Sequence, residues 1–266
     1  MDDKLFQTAC DKIIGIERER SGIGTLSEKT MHAVLKNFYE PDPAHQEIKI
    51  GPYFADIFNN EEIIEIQTRN FNVMRKKLDF FLEKYPVTIV YPIPHHKWIC
   101  WVDDDTGEVV SRRKSPHTGT IYDAFREMYK IKFHLTHPNL HLMLPLIDTE
   151  EYRLLNGWSR DKKRGSTRHD RIPLALSDEI YIHNTREYLQ FIPDGLSEPF
   201  TVKDFAHAAK IHPSIAQTGV HILHYVGVLT RTGKKGRAYL YEIGLPEEET
   251  DIEERFSYDT WLGEDW

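Results

Sequence analysis

Apolar side chains recur at helical spacing from the first residues of the chain. Leu5, Phe6, Ala9, Ile13 and Ile14 mark one face of a helix over residues 3 to 20, which "ERER" ends and "SGIG" breaks. A second helix starts near Thr25, where "TLSE" has the form of a capping box, and runs through Met31, Val34, Leu35 and Phe38 to the stop at "PDPAHQ". The period then changes to that of strands at 46 to 50, 53 to 58 and 62 to 68. A helix follows over 71 to 84, and "VTIVYPI" at 87 to 93 reads as a buried strand. The order is one helix, three strands, a helix and a strand.

Further along, "KWICWVDDDTGEVVSRR" predicts a hairpin turning at Asp105-Thr106-Gly107, residues 120 to 130 a helix, and "NLHLMLPLI" at 139 to 147 a second buried strand. A basic, loop-rich segment leads from there toward residue 180. Beyond residue 183 the pattern becomes short helices, "NTREYLQFI", "TVKDFAHAAK" and "PSIAQTGVHILHYVGVL", followed by two strands around "GKKG". Four regions result: an N-terminal helix (1–24), an α/β domain (25–182), a helix-and-hairpin domain (183–245) and an acidic tail (246–266). In the third region Phe200, Val202, Phe205, Ala206, Ile215, Val220, Leu223, Val228 and Leu229 are the expected core.

Length and composition add limits. A chain of 266 residues can bury a substantial core. No apolar run approaches the roughly 20 residues that span a bilayer, and the N-terminus lacks the basic start and apolar stretch of a secretory signal. A cytoplasmic protein without membrane contact is expected. Cys10 and Cys100 are the only cysteines, too few for a disulfide framework or a cysteine zinc site, and read as core thiols. The histidines around "PHH" and "FHLTHPNLH" fit no zinc spacing.

The net charge of −8 is concentrated in the tail, where residues 246 to 266 hold nine acids and the single base Arg255, and the remaining body carries 33 bases and 33 acids. Residues 153 to 171 form a local excess of +5, with Arg153, Arg160, Lys162, Lys163, Arg164, Arg168 and Arg171 against Asp161 and Asp170. Such a segment supplies phosphate contacts, or is simply a solvated loop.

The chemistry concentrates in "GPYFADIFNNEEIIEIQT", residues 51 to 68. In a strand Glu65 and Gln67 share a face. A two-residue loop sets Asp56 diagonal to Glu65, a four-residue loop sets them directly opposite, and an odd loop without a bulge would separate them. Two carboxylates on an apolar sheet repel and are costly to desolvate unless a cation neutralises them. Oxygen donors of this kind suit Mg²⁺ or Mn²⁺.

With these residues the element order resembles the PD-(D/E)XK nuclease superfamily, over roughly residues 25 to 93. The resemblance implies a restriction-endonuclease-like αβββαβ core of the α/β class and a Mg-dependent deoxyribonuclease. Asp56 and Glu65 would be metal ligands and Glu28 a further active-site residue, although Thr25 and Glu28 also make sense as a capping box alone. Gln67 stands where the superfamily usually has lysine, as in the Glu-x-Gln variants among competence-associated nuclease-like proteins. It would orient water or phosphate without charge, and Lys49 on the preceding strand is a substitute cation or an ordinary surface lysine.

The third region resembles a winged helix-turn-helix. That resemblance implies DNA contacts by Ser214, Gln217, Thr218 and His221 on the third helix and by Arg231, Lys234, Lys235 and Arg237 on the wing. With Arg160, Lys162, Lys163, Arg164 and Arg168 gripping the backbone, the expected activity is hydrolysis of DNA phosphodiester bonds. Two alternatives stand beside it: a non-catalytic DNA-binding protein on the same scaffold, and an interaction module of a defence or repair assembly. A homodimer, or a protein partner held by the acidic tail, is compatible with each.

Overall fold

The computed structural model describes residues 3–21, 30–156 and 165–244. Glu28, the cations from Arg160 to Arg164 and the acidic tail lie outside them. Among the described residues the fold is mixed α/β, with one eight-stranded sheet and a separate two-stranded hairpin. No described helix is long and apolar enough to cross a membrane.

The sheet is organised by one long strand. The chain enters through α1 (Asp3–Ser21) and α2 (Thr30–Tyr39), then builds β1 (Gln46–Ile50), β2 (Tyr53–Phe58) and β3 (Ile63–Ile66) as successive antiparallel neighbours. After α3 (Arg75–Leu82), β4 (Val87–Val90) joins β3 in parallel. The chain kinks at Tyr91-Pro92, where proline has no N–H to donate, and resumes as β5 (Ile93–Val102), which pairs with β6 (Val109–Lys114). Beyond α4 (Phe125–Met128) comes β7 (Leu140–Leu154). Its first residues pair in parallel with β4 and its later ones with β5, so β4 and β5 are two halves of one strand line. On its other edge β7 carries β8 (Thr167–Ile182) in antiparallel register.

The helices divide between the two faces. On one, α1 and α2 place Phe6, Ala9, Cys10, Met31, Val34 and Leu35 over Ile57, Ile66, Val90 and Ile147. These helix positions are the apolar stripe visible in the sequence. Both cysteines are buried, and burial pushes the Cys10 thiol up to about 12 and the Cys100 thiol up to about 11. On the other face Leu78 and Phe81 of α3 and Phe125 and Met128 of α4 cover Ile63, Val87 and Ile89.

Several expectations need correction. The strand foreseen over 139 to 147 continues to Leu154, and the basic segment foreseen as loop contains the 16-residue β8. Charge hid that strand. Arg171 of β8 stands opposite Glu151 of β7, a carboxylate that is 1% exposed and also receives Arg153 at 2.5 Å and Lys97 at 3.6 Å. The helix foreseen over 120 to 130 is instead a 3-10 turn (Ile121–Ala124), the single turn α4 and a second 3-10 turn (Tyr129–His134). "TREYLQF" is likewise 3-10.

The last unit contains α5 (Val202–Ala208), α6 (Pro213–Tyr225) and the hairpin β9 (Leu229–Lys235) and β10 (Ala238–Ile243). Thr201 and Asp204 form a capping box at α5, and Pro213 opens α6 behind the His212 cap. Gly236, at φ +64°, supplies the left-handed residue of the hairpin turn. The expected core residues are buried or packed against the core, which is continuous with that of the sheet. Phe125 and Phe191 pack with tilted rings 4.9 Å apart between centroids, and Gly219 lies so near Phe125 that a Cβ there would stand 2.2 Å from the ring.

A shared core predicts a shared transition. Phe125→Ala should lower stability by about 3–5 kcal/mol. Urea unfolding followed by circular dichroism should show one transition moved to lower denaturant, rather than the selective loss of the C-terminal unit.

Candidate active site

The turn between β2 and β3 sets the site. Asn59 Oδ1 accepts from the Glu61 and Glu62 N–H groups at 3.1 and 2.9 Å, closing a four-residue loop. The ladder pairs Phe58 with Ile63 and Ile57 with Ile64, and at the next step, beyond those pairs, Asp56 and Glu65 come together. At that step side chains replace the ladder bonds. The Ile66 N–H donates to Asp56 Oδ2 at 2.8 Å, and the Asp56 N–H approaches Glu65 Oε1 at 3.4 Å. On the other edge β3 stays bound to β4, with Glu65 in register with Ile89.

Each carboxylate has a partner on a different helix. His32 Nε2 of α2 lies 3.2 Å from Asp56 Oδ2, and Lys77 Nζ of α3 donates to Glu65 Oε2 at 2.5 Å. Glu65 is 4% exposed. Burial, and then the negative charge of Asp56, push its carboxyl up to about 7 against the opposing pull of Lys77. For Asp56 burial acts upward too, but the His32 contact, the Ile66 N–H and Lys77 together hold it below the usual aspartate value. The pair is thus split into an ionised aspartate and a glutamate poised near neutrality.

The other expected residues are placed differently. Gln67 follows β3, and its amide group donates to the Arg69 and Asn70 carbonyls. Lys49 is exposed on β1. Arg168 begins β8. Ser214 and Gln217 are exposed near the start of α6, Thr218 is half-buried, and His221 lies 3.1 Å from Lys132 Nζ. On the hairpin Arg231, Lys234, Lys235 and Arg237 are exposed, with Arg231 and Lys234 over Tyr239 at 4.5 and 4.8 Å. Among the described residues no three His, Cys, Asp or Glu side chains converge as a metal-binding group.

Lys77 and His32 carried no sequence signal. A lysine within "RKKLDFFL" reads as solvent-facing, and a histidine within "TMHAVL" as any polar position of an amphipathic helix. Beyond the carboxylates, a cleft of about 230 Å³ is lined by Tyr91, Tyr122, Asp123, Arg126, Glu127 and Ile215. Neither Asp56 nor Glu65 lines it.

The raised Glu65 pKa has a direct consequence for stability. A carboxyl raised above its unfolded value of about 4.5 contributes stability below that value, which is lost as pH rises through about 7. Glu65→Gln removes this dependence. Its urea midpoint should therefore gain on wild type between pH 5 and pH 8, by a free energy of at most about 3 kcal/mol, at about 1.4 kcal/mol for each tenfold change in proton affinity.

Comparison with known proteins assigns the chain without assigning a role. Residues 29–183, which contain the whole sheet and both carboxylates, match a family model described as a domain of unknown function (DUF8091). A protein of Treponema pallidum (strain Nichols), described as uncharacterized, is 26% identical over 226 residues, covering 82% of this chain and 86% of that relative. No solved structure matches. With more than half of its length accounted for by the family model, the chain belongs to the DUF8091 family.

Proposed function

We propose that this protein is a metal-dependent nuclease acting on DNA, with its site at Asp56 and Glu65. The observation that carries this reading is the proximity of the two carboxylates, one of them buried and pushed up to about 7 by burial and by the charge of the other. The succession α2, β1, β2, β3, α3, β4 supports the resemblance to the PD-(D/E)XK nucleases, and α5, α6 and the β9–β10 hairpin support a winged-helix reading of the C-terminal unit.

The donor set suits Mg²⁺ or Mn²⁺. Mg²⁺ is commonly held by one or two carboxylates, with waters and substrate phosphate completing its shell, so Asp56 and Glu65 suffice without a third side chain. Bound there, the metal would supply charge for the phosphodiester and a more acidic water. The chain itself does the rest. His32 and the Ile66 N–H orient the ionised Asp56. Without metal Glu65 keeps its proton up to about pH 7, and it would give that proton up to a metal bound there. Lys77 offers the cation that Gln67 lacks, positioned to stabilise charge developing on phosphate oxygens. The exposed cations of the hairpin hold the strand by its phosphates.

One observation favours a non-catalytic DNA-binding scaffold instead: the Gln67 amide is spent on the backbone of its own loop. The two readings separate in a cleavage assay on linear, supercoiled, single-stranded and branched DNA with Mg²⁺, Mn²⁺ or EDTA. The nuclease reading predicts metal-dependent cleavage that falls at least about 100-fold in Asp56→Ala and Glu65→Ala and by a comparable factor in Lys77→Met. Binding without cleavage of any substrate would leave the scaffold.

A further inference from the structure

Helix α6, which a winged-helix reading assigns to the DNA groove, does not stand clear of the protein. Gly219 brings it against Phe125, and His221 lies 3.1 Å from Lys132 Nζ with its ring 5.5 Å from Tyr129. The helix is therefore flanked along one side by the 3-10 turn Tyr129–His134. A B-DNA major groove about 12 Å wide admits a single helix, so a second element packed this closely obstructs entry.

The flanking turn has an unusual surface. Phe133 is 71% exposed and Tyr129 44% exposed. Lys132 Nζ lies over both rings and over Tyr225 of α6, at 5.0 Å from Phe133, 5.8 Å from Tyr129 and 5.0 Å from Tyr225. Phe133 and Tyr225 meet edge to face at 6.0 Å. Arg75 of α3 is tied to the same turn region through the Lys130 carbonyl at 2.5 Å. Large apolar side chains exposed together mark a contact surface. Rings interleaved with cations present two chemistries at once, flat π-faces and positive charge.

We propose that Tyr129, Lys132, Phe133 and Tyr225 form a stacking platform for unpaired bases of single-stranded DNA. The bases stack on the exposed rings, and Lys132 and Arg75 meet the phosphates. A duplex keeps its bases stacked on one another and offers the platform no free face. Exposed rings set beside cations match the two chemistries that a nucleic-acid strand carries together, bases and phosphates. This inference rests on the DNA reading above and narrows its substrate to DNA with a single-stranded segment.

Fluorescence anisotropy with labelled oligothymidine and with a duplex of equal length, both in EDTA, separates binding from cleavage. The proposal expects single strands to bind more tightly than duplex. Phe133→Ala should weaken single-strand binding about 5- to 150-fold, while Phe133→Trp retains it and Phe133→Leu does not. The exposure of Phe133 makes misfolding of these variants an improper explanation for a loss confined to single strands, and circular dichroism checks it. Equal binding of duplex, indifference to Phe133→Ala, or a change in sedimentation on Phe133→Ala that reveals a surface between copies would each overturn the platform. If single strands are not bound yet duplex is cut with Mg²⁺, the platform fails and the nuclease reading survives.

Discussion

Charge placed where water cannot reach it governs this structure near its candidate site. Glu65 lies almost wholly inside the sheet, close beside Asp56, and the two negative charges cannot both be held there at ordinary cost. Two helices answer that constraint from different directions, α2 with His32 and α3 with Lys77. The backbone answers it too, because the Ile66 N–H leaves the ladder to bind Asp56. These contacts satisfy Asp56, whereas Glu65 is only partly compensated and sits near neutrality. On the proposed reading that remaining deficit of positive charge is what a divalent cation would fill.

The scaffold that presents this pair depends on the long β7 strand. That strand pairs β4 and β5 on one edge and β8 along the other, and β4 in turn gives β3 its parallel register. The same strand buries Glu151 among Lys97, Arg153 and Arg171, a second place where charge is held inside the sheet, this time surrounded by cations. Glu65 meets Lys77 while Asp56 pushes against it, and Glu151 meets three cations, which agrees with the opposite directions in which their carboxyls move.

Local patterns in the sequence were informative where local forces decide. The spans of β1 and β2, the apolar stripes of α1 and α2 and the proline opening α6 all follow from spacing or capping, and the Asn59 loop then chose between two registers that strand alternation alone left open. What escaped was decided by distant residues. β8 reads as a charged loop until Glu151 is brought against it, Lys77 reads as solvent-facing until α3 crosses Glu65, and His221 reads as a DNA contact of α6 until it meets Lys132. Buried ion pairs and helix docking have no local period, so they have no local signature.

The central claim is that Glu65 lacks positive charge which a divalent metal supplies. Titration of the Glu65 side-chain carboxyl by carbon-13 NMR, with and without Mg²⁺, tests it most directly. The account predicts a midpoint near about 7 without metal and a clear downward displacement when Mg²⁺ is added. A midpoint near the ordinary glutamate value, or one that Mg²⁺ leaves unmoved, would contradict it.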